Sequence, residues 1–373
     1  MLLEDGKSAS GTASRDATRH RGAAVCLSRR TFLETTAGLV VAAALARPAA
    51  AQNQAPPLTP PVAVKVGITP VTSAAAVYLA LDRGYFREEG LDVTLEPFDS
   101  GVQMIPLLGT GQLDVGSGAV NAGLFNAVLR GIPLRMVAVQ GITSPGHGAV
   151  ALLIRKDLFE SGTIQNYADL RGRRVGLSSR ASANEQVLDA ALGRGGLTLQ
   201  DVDVVEIPLP DMTPAFRNGS LDGAIQVEPT ATASVELGVA VRWHTADELT
   251  PGLVTSTWIY APTFADRRSE AGRRFMVGLL RGARDYTNAV DRGIDREAVI
   301  QTLIRNTPLK DRGIYDRSIL PGLAPDGYLD ADALQHDLGW YVQQGYIGEG
   351  LNARSLLDNQ FVDYALERLG PYQ

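Results

Sequence analysis

VAVKVGITPVTSAAAVYLALDRGYFREEGLDVTL, residues 62–95, decides how the rest of the chain reads. Residues 62–68 alternate with the period of two that a strand requires, and Ser73 is placed to cap a helix over 74–82. Residues 91–95 supply the next strand. Working outward, a helix is expected at 102–108, a strand at 113–116, a helix at 119–129 and a strand at 134–139. Short apolar strands alternating with helices predict a largely parallel sheet covered on both faces. A second unit begins near Gly148, with strands at 150–154, 173–177, 202–207 and 221–226 and helices at 182–193 and from Pro229. Residues 256–260 read as a strand leading back to the first unit, and long helices follow at 269–291 and 332–344.

Upstream of this region the pattern changes. Ser28-Arg29-Arg30-Thr31-Phe32-Leu33 matches the twin-arginine export pattern, and an apolar run over 37–46 follows it. That run is too short for a bilayer, which needs roughly 20 residues. Ala49-Ala50-Ala51 offers a small-residue cleavage site, so residues 1–51 are expected to be a signal peptide and 52–61 (QNQAPPLTPP) an exposed linker. The leader holds seven Lys or Arg and four Asp or Glu. Setting it aside leaves 28 basic and 37 acidic residues, a net charge of −9. Nucleic acid and anionic membrane surfaces both reward basic patches, so neither is the expected partner. Cys26, the only cysteine, lies in the leader; the expected mature chain has no disulfide and no thiolate site. With 373 residues, more than one core is expected.

Four elements carry a family resemblance. Residues 80–93 (ALDRGYFREEGLDV) resemble the GYF…EGL-V signature of the nitrate-, sulfonate- and taurine-type substrate-binding proteins, a family shared with thiamine-pyrimidine receptors. Residues 109–116 (GTGQLDVG) are similar to its G-G-LD-G element, and 167–176 (YADLRGRRVG) to the ADLKGKKVG that opens the second lobe. Leu221-Asp222-Gly223-Ala224 with Glu228-Pro229 matches the later G-LDA…EP element. The resemblance implies an α/β, two-lobed periplasmic binding protein of the type II kind, each lobe a mostly parallel sheet flanked by helices, with ligand in the cleft. Lobe 1 then takes 62–146 and 256–373, and lobe 2 takes 147–255.

Ligands of open α/β sheets lie beyond the carboxyl ends of strands, where helix N-termini expose N–H groups. Pro70, Thr72 and Ser73 follow the first strand, and Ser117 and Gly118 the third, so lobe 1 is expected to present these. Gly116-Ser117-Gly118 brushes against a dinucleotide fingerprint, but Asn121 stands where the third glycine belongs. In lobe 2, Ser178, Ser179, Arg180 and Ser182 match the family's serine-rich ligand loop. A guanidinium is unfavourable at a helix N-terminus unless an anion sits beside it, so Arg180 either meets a ligand or pairs with a Glu. His147 is a solvent-facing hinge residue or a ligand contact. Glu228 serves the cleft or a helix start, and Trp258 walls the cleft or fills the core. Gly84, Gly90, Gly109, Gly111 and Gly172 are expected in turns with positive φ, and Asp114 and Asp222 bonded to nearby backbone.

Hydroxyls with one Arg and one His suit a small organic anion, a sulfonate or a carboxylate. The expected activity is its capture by a monomer and its delivery to an inner-membrane ABC permease with its ATPase. A receptor for a pyrimidine or other heterocycle, and an enzyme on the same fold, stay open. Against the enzyme, His147, His244 and His336 have no metal spacing, and no G-x-S-x-G elbow or P-loop occurs. The fungal pyrimidine synthase that resembles this family uses a cysteine-rich iron motif that this chain cannot build. No cofactor and no metal are expected.

Overall fold

The computed structural model describes residues 55–373; the expected leader, with Arg29 and Arg30, lies outside the described residues. The chain lays down β1 (Val62–Ile68), β2 (Leu91–Pro97), β3 (Val115–Ala119) and β4 (Arg135–Ile142), then crosses to a second sheet. There it forms β5 (Val150–Arg155), β6 (Arg174–Leu177), β7 (Asp203–Glu206), β8 (Gly223–Val227) and β9 (Ala240–Thr245) before returning as β10 (Val254–Tyr260). The two sheets share one plan, β2-β1-β3-β10-β4 and β7-β6-β8-β5-β9. In each, four strands run in one direction, and the strand arriving from the other sheet lies antiparallel between two of them. The mostly parallel sheets and the return of 256–260 follow the sequence reading.

Helices connect the strands: α1 (Ala75–Asp82), α2 (Ala122–Leu129), α3 (Ala183–Arg194), α4 (Leu209–Arg217) and α5 (Thr230–Glu236), with α6 (Ser269–Arg292) and α7 (Ala331–Gln343) after β10. Strands covered on both faces must be apolar throughout, and β5 is buried from Val150 to Ile154. Its alternation divides two cores: Leu152 and Ile154 join the main cluster, while Ala151 and Leu153 pack with Met212 and Phe216 on the opposite face. α6 reaches α1 closely because Gly282 has no side chain; a Cβ there would meet the Ala76 carbonyl oxygen at 2.1 Å. Among the described residues no helix is long and apolar enough to cross a membrane.

Several local expectations shift. The third strand starts at Val115 rather than Leu113, and the helix after it begins only at Ala122. Asn121 caps that helix, its side chain accepting from the Leu124 N–H at 3.0 Å. Ser73 caps nothing, because a 3-10 turn over Thr72–Ala74 runs directly into α1. Gly109 lies inside the helix Ile105–Thr110, whereas Gly84, Gly90, Gly111 and Gly172 do take positive φ. At Gly90 the reason is visible: a Cβ would sit 2.2 Å from the Leu58 nitrogen, where the end of the 52–61 stretch lies against the turn. Asp114 and Asp222 occupy matching places, accepting the Lys65 N–H at 2.9 Å and the Arg174 N–H at 3.0 Å across their sheets.

Candidate functional site

A cavity of about 840 Å³, counting the part open to solvent, is lined from both sheets. The first sheet contributes Ser73 from the turn after β1, Gly118 in β3, Gln140 in β4, and Thr255 and Ser256 in β10. The second contributes Ser178 and Ser179 after β6, Asn184 in the first turn of α3, and the apolar Val150, Leu209 and Val227. Beside the cavity the loops of the two halves are tied by backbone bonds. Ala122 N–H donates to Ala181 O at 2.8 Å, and Ala183 N–H to Val120 O at 3.0 Å.

The hydroxyls are wired in one direction. Ser117 donates to the Gln140 Oε1 at 2.9 Å, which turns the Gln140 amide nitrogen toward Ser73, whose Oγ accepts at 3.5 Å. On the facing side the Asn184 amide donates to the Ser178 Oγ at 3.5 Å. A hydroxyl that accepts from an amide keeps its own hydrogen for something else. Ser73 and Ser178 therefore present donors from opposite sides. Ser256, 7 % exposed, lines the cavity with an Oγ that has no protein partner. His147 lines it too; its Nδ1 donates to Leu320 O at 3.2 Å and its Nε2 lies 3.7 Å from Asp291. Among the described lining residues, His147 and Asp99 are the ionisable ones, and neither Lys nor Arg occurs.

Of the residues expected from sequence, the cavity gathers Ser73, Gly118, His147, Ser178 and Ser179. Pro70 lines an adjoining cavity instead. Thr72, Ser182, Glu228 and Trp258 are buried away from it, and Ser117 acts through Gln140. Trp258 is core. Glu228 is fully buried and paired with Arg242, while Ser182 caps α3. Arg180 also departs from a cleft role: its guanidinium pairs with the buried Glu185 at 2.9 Å. Burial lowers the Arg180 pKa, but Tyr346 and Glu185 outweigh it, and the net direction is upward. Gln140, Asn184, Thr255 and Ser256 were missed. Gln140 carried a signal, since a polar residue inside the apolar strand RMVAVQGI needs a buried partner.

Comparison with known proteins agrees with this architecture. The family model described as NMT1/THI5 like matches residues 71–291, more than half of the chain. The taurine-binding periplasmic protein of Escherichia coli is 23% identical over 244 residues, spanning 65% of this chain and 73% of that one. A 4-amino-5-hydroxymethyl-2-methylpyrimidine phosphate synthase of Aspergillus parasiticus is 26% identical over 257 residues, 65% and 71% of the two chains. In fold, the alkanesulfonate-binding protein SsuA of Xanthomonas axonopodis pv. citri, bound to MOPS, superposes with a TM-score of 0.66 at 18% identity, covering 81% of this chain and 99% of that one. The two five-stranded α/β sheets are those of a two-lobed periplasmic binding protein. The resemblance carried by the four motifs holds: the chain belongs to the NMT1/THI5-like family.

Proposed function

We propose that the protein is a periplasmic receptor that captures a small organic anion, a sulfonate or a carboxylate, and delivers it to an ABC permease with its ATPase. The observation that carries this reading is the pair of hydroxyls, Ser73 and Ser178, held as donors from opposite sides of one cavity. Such donors suit a group rich in acceptor oxygens, and neutral donors hold an anion without a buried counter-charge. Turnover is not part of the reading. Each hydroxyl is bonded to an amide nitrogen, which cannot take its proton as a catalytic base would. The names of the taurine- and alkanesulfonate-binding relatives point the same way.

Calorimetric titration of the mature protein with taurine, simple alkanesulfonates and short carboxylic acids tests the proposal. A bond to a charged partner contributes about 1.5–3 kcal/mol. Ser73→Ala and Ser178→Ala are thus each expected to weaken the best acid at least about tenfold, with unchanged melting of the free protein. Affinities within twofold of wild type would remove both hydroxyls from the site. A neutral heterocycle is the second reading, favoured by the lack of Lys and Arg among the described lining residues. Aminopyrimidines in the same titration decide between the two.

Export through the twin-arginine route belongs to the same proposal and rests on Arg29 and Arg30. Replacing both by Lys is expected to leave the precursor in the cytoplasm. Undiminished periplasmic protein in cell fractions would assign export to another route.

A further inference from the structure

A second cavity, of about 990 Å³ counting its open part, adjoins the first. Thr69, Val71, Asp99 and Leu209 line both, so the two share a wall. Their chemistry differs sharply. Five prolines, Pro70, Pro208, Pro210, Pro229 and Pro308, line the second compartment, and proline has no N–H to offer. Its threonines past the shared wall are already engaged: Thr213 bonds Ser234 at 2.7 Å, and Thr230 donates to Val227 O at 2.5 Å. Phe98, Ala233, Leu237 and Leu309 complete an apolar surface, with Leu237 56% exposed at the rim. Neither Lys, Arg nor His is among the described residues that line it.

We infer that the ligand is bipartite. Its single acidic head is held by the Ser73 and Ser178 hydroxyls, and an apolar alkyl or aryl tail passes the Thr69–Leu209 boundary into the proline-lined compartment. This rests on the anion reading of the first compartment. A polar occupant of the second would exchange its hydration for little besides the Asp99 carboxylate and the Thr69 hydroxyl at the shared wall, whereas an apolar tail gains by leaving water. Asp99, exposed at the shared wall, adds a second discrimination. Its carboxylate stands on the wall common to both compartments and repels every acid group the ligand carries, so monoacids are selected over diacids of the same length.

The test is calorimetric titration of the mature protein with straight-chain 1-alkanesulfonates from methane- to octanesulfonate, with benzenesulfonate, and with 1,4-butanedisulfonate. A buried methylene contributes about 0.8 kcal/mol, so affinity is expected to rise about three- to fourfold per carbon over the middle of the series. The disulfonate is expected to bind at least about tenfold more weakly than butanesulfonate. Leu309→Asp, which sets a charge into the apolar wall, is expected to flatten the rise, so that octanesulfonate loses far more affinity than methanesulfonate. Leu237→Asp, at the exposed rim, serves if Leu309→Asp does not fold. Equal affinity across all lengths overturns the tail compartment and leaves the acid receptor standing. A steep rise that Leu309→Asp and Leu237→Asp both leave intact places the tail elsewhere and also overturns it. If no sulfonate of any length binds, the head-group reading fails and the inference falls with it.

Discussion

Glu228→Ala is expected to destabilise the fold by about 3–5 kcal/mol, the loss that follows when one partner of a buried ion pair is removed. Glu228 has no exposed surface, and its carboxylate is saturated from four directions. It accepts from the Thr232 N–H at 3.0 Å, the Thr232 hydroxyl at 2.9 Å, the Ile319 N–H at 3.4 Å and the Arg242 guanidinium. Alanine leaves Arg242 charged, 19% exposed and without its carboxylate, and opens the start of α5. Glu228→Gln keeps one acceptor oxygen for Arg242 and the Thr232 hydroxyl but sets an amide NH2 against the Thr232 N–H, so its loss is expected to be smaller than that of alanine, though not zero. Urea unfolding of the three proteins reads the effect. A loss below about 1 kcal/mol in the alanine variant would show that the network relaxes around the gap.

Asp337→Asn is expected to act in the opposite direction. Asp337, on α7, is 6% exposed, and one carboxylate oxygen has no partner. Burial pushes its pKa up from 3.8 to about 6, against smaller opposing effects from the Val254 N–H and from His336. An acid that is weaker when folded costs nothing below its unfolded pKa. The cost grows as pH rises through the window between 3.8 and about 6, and is complete above it. That full cost is about 3 kcal/mol. The asparagine variant escapes it, so at pH 8 it is expected to be more stable by about 2–3 kcal/mol, with the gain gone below about pH 3. Unfolding free energies of both proteins across this range provide the check. A difference that is independent of pH would assign the effect to packing.

The succession of strands along the chain, β9 (Ala240–Thr245) excepted, was legible because it depends on hydrophobic period, which each segment carries by itself. The binding loops were less so, because side-chain direction there depends on caps and on the facing half. Arg180 illustrates the limit. Its charge was read as meeting either a ligand or a Glu, and Ser182-Ala183-Asn184-Glu185 is a capping-box spacing that supplies the Glu three residues beyond the cap. Glu185 accepts the Ala181 N–H at 2.6 Å and pairs with Arg180. Glu228 takes the helix-start role of the two read for it, accepting the Thr232 N–H, while its partner Arg242 lies on β9, a strand with no sequence signal linking it to α5. Ser73, by contrast, was placed at the cleft for its position after β1, even though the helix cap also assigned to it does not form.

The return of the chain into the first sheet has a consequence for the order of synthesis. The second sheet is encoded without interruption, so all five of its strands are present once Thr245 has been made. The first sheet cannot close then, because β4 has no neighbour until β10 slides between it and β3. A released chain that ends before residue 254 therefore has all the strands of one sheet and leaves a vacant slot in the other. Without β10, that slot exposes two strand edges to any passing chain.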